Sequence, residues 1–371
     1  MKIVLIRGNL KEALSAVERA SGENLNLPVL KYARLEAHES QMELTATNLE
    51  IAITCFVSGK VIEKGKVSVP IGTFLNLINN LQSERLNLEK KGSQLEVKTD
   101  NYEAVIQTLP TEDFPIIPKI KNAEDFLELE AGIFKEALGQ VVIATQFSEL
   151  RAELNSVLFE FNLDSLKIAG TDSFRLAEKT IPSNQFKTKY SQGFRFLVPL
   201  KTCHELMRVF KDDDVVKIYY DQNQVLFKTE RLELISRLTD ANFPDYGTII
   251  PQKFDAEVVV AREELINALK LSGVFSSQTS EVKIKGASGG RALEIYSASR
   301  EVGENKYLLP AKIHGTFGEV GFNWRYLADG LRVLRTEEVF LGVNEAENKP
   351  SLLKSQNEAS YFYILMPILK N

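Results

Sequence analysis

The chain has 371 residues, 44% of them hydrophobic and 26% charged, and a net charge of −5. That length accommodates roughly two to four domains, and the composition builds sizeable cores. The acidic balance excludes a wholly basic surface, although a local basic stripe on an acidic body still permits nucleic acid as a partner.

The chain opens on a predicted strand, Met1 to Ile6, which meets Arg7 too early for a secretory apolar core. No apolar run reaches the roughly 18 residues that span a bilayer. Cys55 and Cys203 lie far apart, so no disulfide framework is expected and a reducing cytoplasm fits. A helix follows, with Leu10, Ala13, Leu14 and Val17 forming an i, i+3, i+4, i+7 stripe. Strands come next, among them Leu44-Thr45-Ala46-Thr47-Asn48, and then Val69-Pro70 leads into a second helix with a stripe of Phe74, Leu77, Ile78 and Leu81. Period-two strands such as Leu86-Asn87-Leu88-Glu89 and Gln94-Leu95-Glu96-Val97-Lys98 bury one face only. Asp113-Phe114-Pro115 ends this stretch, and a proline-containing linker runs to Glu124.

The same order then repeats. Leu10-Lys11-Glu12-Ala13-Leu14 returns as Phe134-Lys135-Glu136-Ala137-Leu138 and, more loosely, as Leu265-Ile266-Asn267-Ala268-Leu269. The Thr47-Asn48 strand end returns as Gly170-Thr171-Asp172 and faintly as Ser297-Ala298-Ser299. Val69-Pro70 returns as Val198-Pro199 and as Phe322-Asn323, each before a helix. Their stripes are Cys203, Leu206, Met207 and Phe210, and Trp324, Leu327, Leu331 and Leu334. Asn242-Phe243-Pro244 closes the second copy, and a linker continues to Asp255. Such a long period makes each copy a domain rather than a solenoid turn. The expected domains are 1–120, 121–247 and 248–371, of α+β class, each with two helices packed on antiparallel sheets.

Catalytic and metal motifs are weak. The three histidines fall in different copies, and only Glu36 and His38 sit close together. The formal G-x-S-x-G at Gly286 to Gly290 lies between predicted strands, where a nucleophile elbow needs a following helix, so it reads as a turn. Glu263-Glu264 is expected at a helix start and Asp212-Asp213-Asp214 in a turn. No enzyme, cofactor or metal is expected.

Basic residues mark the polar sides of the helices: Lys11 and Arg19; Lys201, His204, Arg208 and Lys211; Arg325, Arg332 and Arg335, interrupted by Asp329. They read either as ordinary solvated faces or as a track for phosphates that reads no bases. No aromatic residues interleave with them, which disfavours stacking on single strands.

Several stretches together resemble the bacterial DNA polymerase III beta subunit, the sliding clamp, over the whole chain. They are Leu27-Pro28-Val29-Leu30, Thr47-Asn48-Leu49-Glu50, Arg151-Ala152-Glu153-Leu154-Asn155, Gly170 to Ala177, Asn242 to Tyr246, and Met366-Pro367-Ile368. The resemblance implies a head-to-tail homodimeric ring, helices inside, around double-stranded DNA without sequence preference. It implies that an ATP-driven loader opens the ring, and that the polymerase catalytic subunit and other replication and repair proteins dock on it. It adds Arg151 to the DNA-facing set. It also implies a hydrophobic pocket for short Gln-led, Leu/Phe-ended peptides. The matching positions are Leu154, Thr171, Arg175, Leu176, Pro244, Thr248, Ile249, Ile364, Met366, Pro367 and Ile368. Ring closure maps onto Ala104 and Ile106 against Lys270 and Leu271. Ser173-Phe174, Leu369 and the Lys370-Asn371 extension depart from the family pattern and predict a greasier pocket rim. The competing reading from another class is a protein-binding scaffold that never encloses DNA.

Overall fold

Apolar stripes and period-two strands alternate in the sequence, and the computed structural model turns them into one run of elements repeated three times. It describes every residue except Glu23, Leu25, Asn122, Glu149, Ser288, Glu347, Lys370 and Asn371. The first copy comprises β1 (Lys2–Ile6), α1 (Arg7–Glu18), β2 (Tyr32–His38), β3 (Gln41–Thr47), β4 (Ile51–Glu63), β5 (Gly65–Pro70), α2 (Ile71–Asn80), β6 (Arg85–Lys91), β7 (Gln94–Lys98) and β8 (Glu103–Gln107). The second comprises β9 (Leu127–Glu130), α3 (Ala131–Val142), β10 (Ser156–Asn162), β11 (Ser165–Thr171), β12 (Arg175–Pro182), β13 (Phe186–Thr188), β14 (Phe194–Pro199), α4 (Leu200–Val209), β15 (Val215–Tyr220), β16 (Gln224–Lys228) and β17 (Leu232–Arg237). The third comprises β18 (Ala256–Ala261), α5 (Arg262–Gly273), β19 (Glu281–Gly286), β20 (Ala292–Ser299), β21 (Gly303–Gly315), β22 (Val320–Asn323), α6 (Trp324–Arg332), β23 (Glu338–Val343), β24 (Ser351–Ser355) and β25 (Tyr361–Leu365).

The chain divides into two compact units. Unit 1 holds 1–132, 186–190 and 204–238, and unit 2 holds 133–185, 191–203 and 239–371. The middle copy is therefore shared. In unit 1, β17 continues the sheet of the first copy by pairing with the start of β4, Ser236 opposite Ile51 and Ile235 opposite Ala52. In unit 2, β25 of the third copy pairs with β12 in the same way, Leu365 opposite Arg175 and Ile364 opposite Leu176. Every strand pair recorded for the described residues is antiparallel, as expected for sheets that cover one face with helices.

The helices bury most of each predicted stripe, but Leu77, Met207 and Trp324 are only half-buried, and Phe210 and Leu334 lie past the ends of α4 and α6. In α1, Leu10, Ala13, Leu14 and Val17 are buried, each large side chain contributing about 1.5–3 kcal/mol. In α2 the buried set is Ile71, Phe74, Leu75 and Ile78, and Leu77 is half-buried. This helix ends at Asn80, so Leu81 is its C-cap and adds no further turn to the stripe. Glu263 and Glu264 occupy the first turn of α5, where carboxylates favour the helix dipole. Asp214 closes a turn after α4 by accepting from the Lys211 N–H at 2.8 Å.

α6 packs closely because of Gly330. A β-carbon there would lie 2.7 Å from the Tyr363 ring and 3.1 Å from Leu353. Tyr363 cannot swing away freely, because its hydroxyl donates to the Tyr326 carbonyl at 2.9 Å. Gly330→Ala should therefore destabilise the protein by about 1–3 kcal/mol despite the better helix propensity of alanine. A urea midpoint equal to or above that of the parent would contradict this packing argument.

Candidate peptide groove and basic faces

The groove predicted from sequence centres on the turn between β11 and β12. Asp172 organises it: Oδ1 accepts the N–H groups of Phe174 and Arg175, both at 2.9 Å. The Thr171 hydroxyl donates to the Arg175 carbonyl at 2.7 Å and accepts the Ser173 N–H at 3.2 Å. Ser173 takes the left-handed conformation, φ 78°, a region that glycine enters more readily, and Phe174 beside it is 58% exposed. Arg175 does not present a free cation. Its Nε donates to Asp172 at 2.8 Å, and a terminal nitrogen donates to Asp329 on α6 at 2.9 Å. The guanidinium also stacks 4.1 Å from the Tyr326 ring centre. Asp329, which interrupts the basic pattern of α6 in the sequence, thus ties the turn to the helix. No motif signalled that partnership, and only folding brings Asp329 to Arg175.

The tail joins this turn through backbone. The Met366 N–H donates to the Phe174 carbonyl at 2.8 Å, and the Ile368 N–H donates to the Gly321 carbonyl at 2.8 Å. Leu176 and Ile364, paired across β12 and β25, are buried, as is Pro367, whereas Met366 and Ile368 are half-buried. Arg151 bonds the Ser173 hydroxyl at 3.0 Å, which draws the segment carrying buried Leu154 toward the same turn. Pro244, Thr248 and Ile249 are exposed. Their segment is fixed by Phe243, which packs on Leu158 and Ala169, and by Tyr246, whose hydroxyl donates to Glu178 on β12 at 2.6 Å. Burial, followed by that bond, raises the Tyr246 pKa, so the phenol stays protonated. Leu369 is exposed, and Lys370 and Asn371 lie outside the described residues.

The basic positions are largely paired with acids. Arg19 and Arg208 both approach Glu205, at 3.4 and 3.0 Å. Lys211 reaches Glu12 at 2.7 Å, and Arg335 reaches Glu136 at 3.2 Å. These last two bridges occupy equivalent places in the repeat, one in each unit. Arg332 binds Asp329 at 2.8 Å and Arg151 binds Glu153 at 2.9 Å. Arg325 lies over Trp324, 5.3 Å from its ring. Lys11 and Lys201 are exposed. Burial and the nearby Arg208 charge lower the His204 pKa, so that imidazole adds no charge at neutral pH.

At the expected closure positions, Ile106 is buried and Val105 is 51% exposed. The strand alternation that places Ile106 in the unit 1 core turns Val105 outward. Lys270 and Leu271 are exposed on α5.

Glu36 and His38 approach to 3.3 Å on β2, and among the described residues no group of three metal-ligating side chains occurs. β19 and β20 pair antiparallel, and between them Gly289 and Gly290 have positive φ and the Ala287 N–H is bonded to the Ala292 carbonyl at 2.9 Å. Ser288 itself lies outside the described residues. Cys55 and Cys203 are free and buried, and desolvation pushes the Cys55 thiol up to about 12. Among the described residues no helix is long and apolar enough to cross a membrane.

Comparison with known proteins covers the same three copies. The N-terminal, central and C-terminal domain models of the DNA polymerase III beta subunit match residues 1–118, 128–245 and 247–369. A curated relative, the beta sliding clamp of Chlamydia pneumoniae, is 28% identical over 99% of both chains. Among solved structures, the beta subunit from Pseudomonas aeruginosa superposes with a TM-score of 0.92 at 26% identity, and that from Thermotoga maritima with 0.90 at 25%, each covering 100% of both chains. With three successive matches in the order of its own repeat, the chain belongs to the DNA polymerase III beta subunit family.

Proposed function

We infer that this protein is a DNA sliding clamp: a non-catalytic ring that encircles duplex DNA and tethers the replicative polymerase through the groove around Thr171 and Met366. The observation that carries this reading is the pair of sheet edges left over by the repeat. Within the chain, the last strand of one copy joins the long strand of the copy before it, β17 on β4 and β25 on β12. The corresponding strands still available are β8, paired only with β7, and the first half of β21, where Gly303 to Pro310 pairs only with β20 among the described residues. Joining β8 of one chain to β21 of another repeats the internal joint and closes a head-to-tail dimer. Ala104 lies on β8, and Lys270 and Leu271 lie on α5, which packs against β21. The domains of the ring are 1–120, 121–247 and 248–371. The protein acts in the cytoplasm, in keeping with its two unpaired thiols.

The paired state of most basic residues supports a loose phosphate track. Phosphates compete with Glu205, Asp329 and Glu136 for the same cations, so no single contact anchors the duplex. The triple reversal Lys201→Glu, Arg208→Glu and Arg332→Glu should shorten retention on DNA. It should also lower the salt slope by fewer than about three units, because Arg208 and Arg332 already have acidic partners. An unchanged salt slope would remove these residues from the track.

The direct test is topological. Protein placed on nicked circular plasmid by an ATP-driven clamp loader should stay on it through gel filtration and leave once the plasmid is cut. Equal retention on circular and linear DNA would identify a scaffold that binds DNA without enclosing it.

A further inference from the structure

We propose that unit 1 carries a second docking groove, for an extended peptide that places an aliphatic side chain beside a carboxylate. The inference rests on the reading of the Thr171 turn as a peptide groove, because unit 1 contains the same turn in the same sheet register. The Thr47 hydroxyl donates to the Ile51 carbonyl at 2.8 Å and accepts the Leu49 N–H at 3.0 Å. Asn48 Oδ1 accepts the Glu50 and Ile51 N–H groups at 3.0 and 2.9 Å, as Asp172 does for Phe174 and Arg175. The N–H of Arg237 donates to the Glu50 carbonyl at 2.9 Å, just as that of Met366 donates to Phe174. Strand pairing then sets Arg237 in the place of Met366, Ile51 in that of Arg175, and Ala52 in that of Leu176.

A cavity of about 190 Å³ lies at this turn, its apolar lining including Leu49, Ile51, Ala52 and Ile235. The linker supplies a further wall. Ile116 stands 94% exposed there, and Gln224 holds the linker by donating to the Lys119 carbonyl at 3.0 Å. Leu49 is exposed at φ 75°, a conformation that costs leucine more than asparagine, so an apolar lip is kept where a polar residue would be easier to fold. At the rim, Arg237 and Glu50 are exposed, and neither side chain makes an ion pair with a described residue. An apolar cavity between one unpaired cation and one unpaired anion complements a segment with an acid at one end, a hydrogen-bond donor at the other and an aliphatic side chain between them. The third copy does not repeat the feature: residues 299–302 carry no positive φ, and Ser299 stands in place of the Asn48 or Asp172 anchor.

The test uses the full-length dimer with labelled isoleucine methyl groups and the peptide acetyl-Gln-Leu-Asp-Leu-Phe bearing a free terminal carboxylate. Ile51 and Ile235 report on the unit 1 groove, and Ile249, Ile364 and Ile368 on the other. Both sets should shift saturably, with two distinct affinities. Arg237→Glu should weaken the unit 1 event by about tenfold or more. Leu49→Asn, which relaxes the backbone and so keeps the fold, should weaken it as well, and neither change should move the other set. If Ile51 and Ile235 stay still at peptide concentrations that saturate Ile364 and Ile368, or respond equally in both variants, the second groove is refuted while the first stands. If only Ile364 and Ile368 stay still, the reading of the Thr171 turn fails, and the unit 1 groove is judged on its own variants.

Discussion

Changing Met366→Ala and Pro367→Ala together should weaken a Gln-led, Leu/Phe-ended peptide by about a hundredfold while the protein remains a dimer. Met366 is half-buried and its main chain is held by the bond to Phe174, so the backbone that presents the thioether is already placed when a ligand arrives. Pro367 stiffens the segment that follows and is itself buried. Removing two such anchors forfeits about 1.5 kcal/mol each, which multiplies to the stated factor. Neither residue belongs to β8, β21 or α5, so dimer mass measured by sedimentation should not change. Unaltered peptide affinity would dismiss this site; lost affinity together with lost dimer would show that the tail serves the fold instead.

Val105→Pro is the counterpart for ring closure. In β8, residues alternate between facing β7 and facing the open edge. The Thr108 N–H donates to the Ser93 carbonyl and the Tyr102 carbonyl accepts the Thr99 N–H, so even-numbered residues face β7 and Val105 faces outward. Proline there deletes a donor that the chain itself does not use and adds a ring where a second strand must approach. Dimer dissociation should rise by on the order of a hundredfold, read by sedimentation equilibrium, with little change in the unfolding of the separated chain. A dimer of parental strength would place the interface elsewhere.

Much of this molecule was legible in the order of its residues, and the gaps have physical causes. The helix stripes could be read because burial on a helix follows a fixed angular spacing, and α1 buries all four expected residues. α2 departs because Leu75, not Leu77, reaches the core, a rotation of the buried face that depends on what the helix packs against. The edge strand exposes a sharper limit: Ile106 and Val105 differ by one position, and in a strand one position exchanges inside for outside. Asp329 is the one acid the sequence marks on these basic faces, whereas Glu205 takes up Arg19 from another helix as well as Arg208, and Glu12 and Glu136 reach Lys211 and Arg335 from other elements. The shared middle copy was equally hidden, because a repeat in sequence marks where a pattern recurs and not which strands join one sheet.

The bridges Glu12–Lys211 and Glu136–Arg335 carry a consequence for how such a ring comes apart. At the equivalent repeat positions the third copy carries Asn267 and the first carries Gln82, two amides where the internal joints have opposite charges. Each exposed bridge contributes at most about 1 kcal/mol, so the difference is less one of strength than of aftermath. Breaking such a bridge leaves two charges without partners, whereas separating two amides leaves groups that water satisfies at once. A joint that met at these two positions would part there without leaving an unpaired ion.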